Sequence, residues 1–114
     1  MELAHIQDIH IETNGAVDLQ FFFMERVSSP KVRYIMDYKL PASGETDAML
    51  LTNLPLLRGQ DELKFVVGNE ADFRAAKELL ETHPTKALPL FSPVWETMPP
   101  VKLVELILLT AYPK

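Results

Sequence analysis

Three short stretches carry the residues whose types and spacing could do chemistry. In "MDYKLPASGE" (36–45), a carboxylate, Asp37, and an ammonium, Lys39, stand two residues apart. Residues i and i+2 of a strand point the same way. The two groups therefore either pair with each other or hold a polar ligand together, and as a bare surface pair they contribute at most about 1 kcal/mol. In "IHIETNGAVD" (9–18), His10 and Glu12 share a face by the same spacing, and the alternation then breaks at Asn14-Gly15, a turn signal. A metal held by His10 and Glu12 is conceivable on that face, but a hydrogen-bonded pair is the reading adopted. His5, His10 and His83 form no ligand set, and no metal site is assigned. In "KFVVGNEAD" (64–72), Lys64, Phe65, Val66 and Val67 form a strand whose backbone can run beside a flat ligand, with Gly68 permitting the turn into the next helix. An ordinary core strand accounts for the same residues.

Other chemistries lack their residues. Serines lie beside prolines in "SSPK" (28–31) and "SPV" (92–94), without the Gly-x-Ser-x-Gly turn that exposes a nucleophile. The four glycines are scattered, so no loop cradles a phosphate. The chain has no cysteine, which excludes disulfides, thiolate nucleophiles and an iron–sulfur cluster held by its own thiolates. With a net charge of −5 and no basic run, nucleic acid is not an expected partner. No apolar run approaches the roughly 20 residues that cross a bilayer, so no membrane is expected. The N-terminus lacks the pattern of a secretory signal, and a cytoplasmic protein is expected.

The elements that must position these residues follow from periodicity and breakers. Strands are expected over 5–12, 32–39, 62–68 and 87–94. The stretch 17–26 makes a short helix or a buried irregular segment around its three consecutive Phe residues. A helical stretch is expected over 46–57, ended or kinked by Pro55. The clearest helix is 69–83, with Asn69 as N-cap and acids in its first turn. A last helix, 99–111, opens with proline. The order is β-α-β-α-β-α-β-α in a single domain spanning 1–114. Strand ends near Glu12, Tyr38, Lys64 and Phe91 recur roughly every 26 residues, about the length of one βα unit. The fold class is therefore α/β with a parallel sheet. Four units fit a small open sheet or half of an eight-stranded barrel. His10, Glu12, Asp37, Lys39, Lys64 and Ser92 are expected at or near the carboxyl ends of their strands, the edge at which such sheets bind ligands. A merely wet face would read the same way.

Taken in order, "HIETNGAVDL", "RYIMDYKLPASGE", "DELKFVVGNEADF" and "LFSPVW" resemble the C-terminal half of 7-carboxy-7-deazaguanine synthase. This is a radical S-adenosylmethionine enzyme of queuosine biosynthesis with a partial TIM-like barrel, usually homodimeric. The resemblance implies conversion of 6-carboxy-5,6,7,8-tetrahydropterin to 7-carboxy-7-deazaguanine with S-adenosylmethionine, a [4Fe–4S] cluster and Mg²⁺. It makes Asp37 and Lys39 candidate contacts to S-adenosylmethionine, and Lys64, Phe65, Val66 and Val67 the strand along its adenosyl group. Glu12 and Asn14 become organisers of the pocket.

The three-cysteine motif and the Gly-Gly-Glu-Pro type segment of the family are missing, and so is its last basic and aromatic segment. The resemblance therefore implies a truncated or split enzyme, inactive by itself, that pairs with a missing N-terminal half or with another copy. A non-catalytic interaction module derived from the fold is the alternative. A small open α/β domain with an unrelated ligand is the third reading.

Overall fold

A computed structural model describes residues 9–20 and 32–111. Four strands, β1 (Ile9–Asn14), β2 (Val32–Tyr38), β3 (Glu62–Val67) and β4 (Leu88–Pro93), form one sheet in the order β1-β2-β3-β4. All three neighbouring pairs are parallel. Helix α1 (Glu70–Thr82) joins β3 to β4, and α2 (Pro100–Ala111) follows β4. The α/β class and the parallel sheet are those the spacing predicts. Strand order follows chain order, which suits an open sheet and a partial barrel equally.

Alternation within the strands builds the two faces of the sheet. In β2, Val32, Tyr34, Met36 and Tyr38 are buried while Arg33, Ile35 and Asp37 are half-buried. In β3, Leu63, Phe65 and Val67 are fully buried while Glu62, Lys64 and Val66 are half-buried. Parallel sheets covered on both sides read as continuous apolar runs. Among the described residues only one face is packed. Its core includes Leu54, Leu57, Phe73 and Leu103. The Phe65 ring stacks on Phe91 at 5.5 Å and meets Tyr38 edge-on at 5.9 Å.

Local chemistry explains α1. The Asn69 side chain accepts from the Asp72 N–H at 2.8 Å, so the predicted N-cap forms. Phe73 and Ala76 face the core, and exposed i,i+4 pairs, Glu70–Arg74 and Lys77–Glu81, lie on the outer side.

The stretch expected to be helical over 46–57 is not an α-helix. It forms two separate 3₁₀ segments, Thr46–Ala48 and Leu51–Leu56, and a further one lies at Pro41–Ser43. Leu50 is extended between the first two, and Pro55 removes a donor inside the second. Tertiary bonds then hold the segment. Buried Asn53 accepts from the Leu19 N–H at 2.9 Å and donates to the Val17 and Gly15 carbonyls at 2.8 and 3.1 Å.

The first strand runs to Asn14, two residues beyond its predicted end, and residues 5–8 of that prediction lie outside the described residues. So do residues 21–26 of the segment expected over 17–26, and all of "SSPK" (28–31).

At the amino end of the sheet, Asp61 is completely buried and fully engaged. Its carboxylate accepts from the Tyr34 N–H at 2.9 Å and from the Arg58 N–H and guanidinium. That guanidinium also donates to the Val32 carbonyl at 2.7 Å. Loop and strand are thereby tied together at the end opposite the cleft.

Candidate functional site

Parallel register decides which polar residues lie level with one another. Asn14 pairs with Asp37, Asp37 with Lys64, and Lys64 with Leu90, so these four form one row across the sheet. Lys64 is the third residue of β3 and His10 the second of β1, so neither lies at the end of its own strand as expected. The stagger of β3 against β2 nevertheless brings Lys64 level with Asp37.

Beyond this row, at the carboxyl ends of β2 and β3, lies a cleft of about 340 Å³. That volume falls in the roughly 300–1,000 Å³ range of small-molecule sites. Asp37, Lys39 and Val66 line it, together with Leu40 and Ser43 of the 3₁₀ connection and Thr97 after β4. Lys64 stands outside the lining, on the open face. Phe65 and Val67 are fully buried on the opposite face, so only their backbone is available to the open side.

The Asp37–Lys39 pair anticipated from spacing forms, with Lys39 Nζ donating to Asp37 Oδ2 at 2.7 Å. This bond, against a smaller effect of burial, holds the Lys39 pKa above the ordinary lysine value. The other carboxylate oxygen, Asp37 Oδ1, is shielded from solvent and has no hydrogen-bond partner. A shielded acceptor without a donor is costly and rare. Tyr38 beside it is desolvated, which raises its phenol pKa.

His10 does not pair with Glu12. Its Nε2 lies 3.1 Å from Arg33 Nη2 on the neighbouring strand, where the register sets His10 beside Arg33. The imidazole nitrogen accepts from the guanidinium. Glu12 lies one full pleat repeat along the same face, level with Ile35. Asn14 acts locally: its Oδ1 accepts from the Ala16 N–H at 2.8 Å, and its carbonyl accepts from the Val17 N–H at 2.9 Å. Gly15 then passes so close to Met49 that a Cβ would sit 2.7 Å from the sulfur.

Two features escape the sequence reading, the first of them a support of the cleft. Asp72 was legible only as an acid in the first turn of α1. Its buried carboxylate turns back to accept from the Gly68 N–H at 2.8 Å and the Ala42 N–H at 2.9 Å, which pins the 3₁₀ connection to the end of β3. Gly68 allows this, since a Cβ there would lie 3.2 Å from Asp72 Oδ2 and 3.3 Å from Ala42. Arg33, buried at its Nε without a partner, looked like an ordinary strand residue. No spacing rule within one strand signals either role, because both depend on a second element.

The donor set fits one implied group and not another. With no cysteine in the chain and no cluster of His, Asp and Glu among the described residues, nothing here suits an iron–sulfur cluster or assigns Mg²⁺ ligands. The unpartnered Asp37 Oδ1 suits a ligand that donates hydrogen bonds, as the amino and hydroxyl groups of S-adenosylmethionine do.

A parallel sheet with a cleft at its carboxyl edge defines an α/β domain, the architecture in which ligand sites lie at that edge. Its sequence narrows that class: the chain is related to 7-carboxy-7-deazaguanine synthases along most of its length. It is 35% identical to the 7-carboxy-7-deazaguanine synthase of Leptospira interrogans over 101 residues, covering 85% of this chain and 40% of that protein. The synthase of Methanospirillum hungatei is 38% identical over 89 residues, covering 78% and 35%. That of Clostridium acetobutylicum is 33% identical over 99 residues, covering 85% and 43%. The chain thus spans less than half the length of these curated relatives. No family model matches it, and no solved structure matches it. Among the described residues, no helix is long and apolar enough to cross a membrane.

Proposed function

We propose that this chain is the S-adenosylmethionine-binding C-terminal portion of a 7-carboxy-7-deazaguanine synthase-like enzyme of queuosine biosynthesis, a cytoplasmic lyase. The observation that carries the reading is Asp37 Oδ1, a shielded acceptor without a partner in a cleft at the carboxyl edge of the sheet. S-adenosylmethionine supplies the radical chemistry of the family. On this chain, Asp37 accepts a hydrogen bond from the ligand while Lys39 orients the carboxylate. Val66 offers an apolar contact, and the backbone from Lys64 to Val67, including Phe65, borders the adenosyl group. Lys64 adds positive charge within the row. With no cysteine among these 114 residues, the cluster comes from outside them, so the reaction requires a complementary cysteine-bearing portion.

The test is reconstitution. The chain is mixed with the cysteine-bearing N-terminal portion of a relative, and cleavage of S-adenosylmethionine is followed under reducing conditions. Cleavage that depends on both components supports the reading, and failure to form a complex with no cleavage overturns it.

A second reading, a non-catalytic interaction module, draws on the exposed apolar residues of α2. Val101, Val104, Leu108 and Leu109 are all at least half exposed. Calorimetry that finds tight self-association and no binding of S-adenosylmethionine would favour it.

A further inference from the structure

Phosphate groups at the carboxyl edge of a parallel sheet are held by backbone N–H groups where a strand turns into the next helix. The cleft has donors of this kind, and they are already taken. At the turn from β3 into α1, the Gly68 N–H donates to Asp72 Oδ2 at 2.8 Å. From the 3₁₀ connection, the Ala42 N–H donates to Asp72 Oδ1 at 2.9 Å. One carboxylate thus bridges two segments as a bound anion would, with one oxygen on each N–H. Asp72 is 1% exposed, yet it lines the cleft. The Asp72 N–H is itself held by the Asn69 side chain at 2.8 Å.

The rest of the lining offers an anion nothing in exchange. Among the described residues its charged groups are Asp37, Asp72 and Lys39, and Lys39 donates to Asp37 at 2.7 Å. Asp37 Oδ1 adds an acceptor without a donor. A phosphate oxygen entering here meets acceptors where it needs donors, and charge of its own sign. An amino, hydroxyl or sulfonium group meets the reverse. We propose that Asp72 is a specificity-determining residue of the cleft. Its carboxylate fills an anion pocket made by the Gly68 and Ala42 N–H groups, so the cleft admits a neutral or cationic adenosyl ligand and rejects nucleoside phosphates. The selectivity rests on the S-adenosylmethionine reading above, whereas the filled pocket does not.

Calorimetry with S-adenosylmethionine and with adenosine monophosphate, before and after Asp72→Ala, tests it. The unaltered chain is expected to bind the monophosphate at least about 100-fold more weakly than S-adenosylmethionine. Asp72→Ala frees both N–H groups and is expected to narrow that ratio about 10- to 100-fold. A residue that only braced the loop would weaken both ligands together. An unchanged ratio therefore overturns the proposal, as does equal affinity for both ligands in the unaltered chain. If Asp72→Ala does not fold, Asp72→Asn keeps one acceptor, removes the charge and is expected to narrow the ratio about 3-fold, with the same overturning result. If the unaltered chain binds neither ligand, the functional reading fails and formate decides on the pocket. Formate replaces the missing carboxylate and is expected to raise the thermal midpoint of Asp72→Ala, or restore its folding, beyond chloride of equal ionic strength. The unaltered chain should not respond. Absence of that rescue overturns the pocket as well.

Discussion

The two faces of the sheet are made by alternate residues of the same strands, yet they do different work. On the packed face, Tyr34, Met36, Leu63 and Phe65 have no exposed surface and define the core. On the open face, one residue along, Arg33, Asp37 and Lys64 remain half-buried, and two of them have polar atoms that are shielded without partners. The packed face is satisfied by itself. The open face is not, and that difference separates the residues that fold the chain from those available to a ligand.

Breaking the packed face should cost most. Phe65→Ala is expected to destabilise the chain by about 3–5 kcal/mol, because the cavity lies between Tyr38 and Phe91 and cannot readily collapse. Urea unfolding measures it. Asp72→Ala strands the buried Gly68 N–H and the part-buried Ala42 N–H and should cost about 2 kcal/mol in the same assay. It should also loosen the cleft, which would show as faster amide exchange at Ala42 and Gly68. Gly15→Ala should cost about 1–2 kcal/mol, since Met49 must give way to the added Cβ. Lys64→Ala, one position from Phe65, should stay within about 0.5 kcal/mol of the unaltered chain. A cost for Lys64→Ala near that of Phe65→Ala would erase the contrast between the faces.

The smallest effect concerns pH. The Lys39 pKa is raised in the folded chain, chiefly by its hydrogen bond to Asp37. Its stabilising contribution is therefore complete below the ordinary lysine value of 10.5 and is lost as pH rises through the higher folded value. Lys39→Met should remove this alkaline slope in a series of unfolding curves.

The parallel α/β frame, the cap at Asn69 and the Asp37–Lys39 pair were legible because each depends on local spacing. The partner of His10 was not, because Arg33 lies on another strand and only the register brings them together. The same holds for Asp72, whose helical position was plain while its bonds to Ala42 and Gly68 were not. The 46–57 stretch misled for a related reason. Its apolar content suits a helix, but Pro55 and the bonds of Asn53 to Gly15, Val17 and Leu19 select short 3₁₀ segments. Lys64 shows the converse. It lies short of the end of β3, yet the stagger of the strands brings it level with Asp37.

The most direct test of the open face as the ligand face is calorimetric titration of S-adenosylmethionine into the chain and into Asp37→Ala. Saturable binding to the unaltered chain is predicted, weakened roughly 10- to 100-fold in the variant by loss of a charge-assisted hydrogen bond. The thermal midpoint of the variant should change little. Absence of binding to the unaltered chain, or equal affinity for both, would contradict the account.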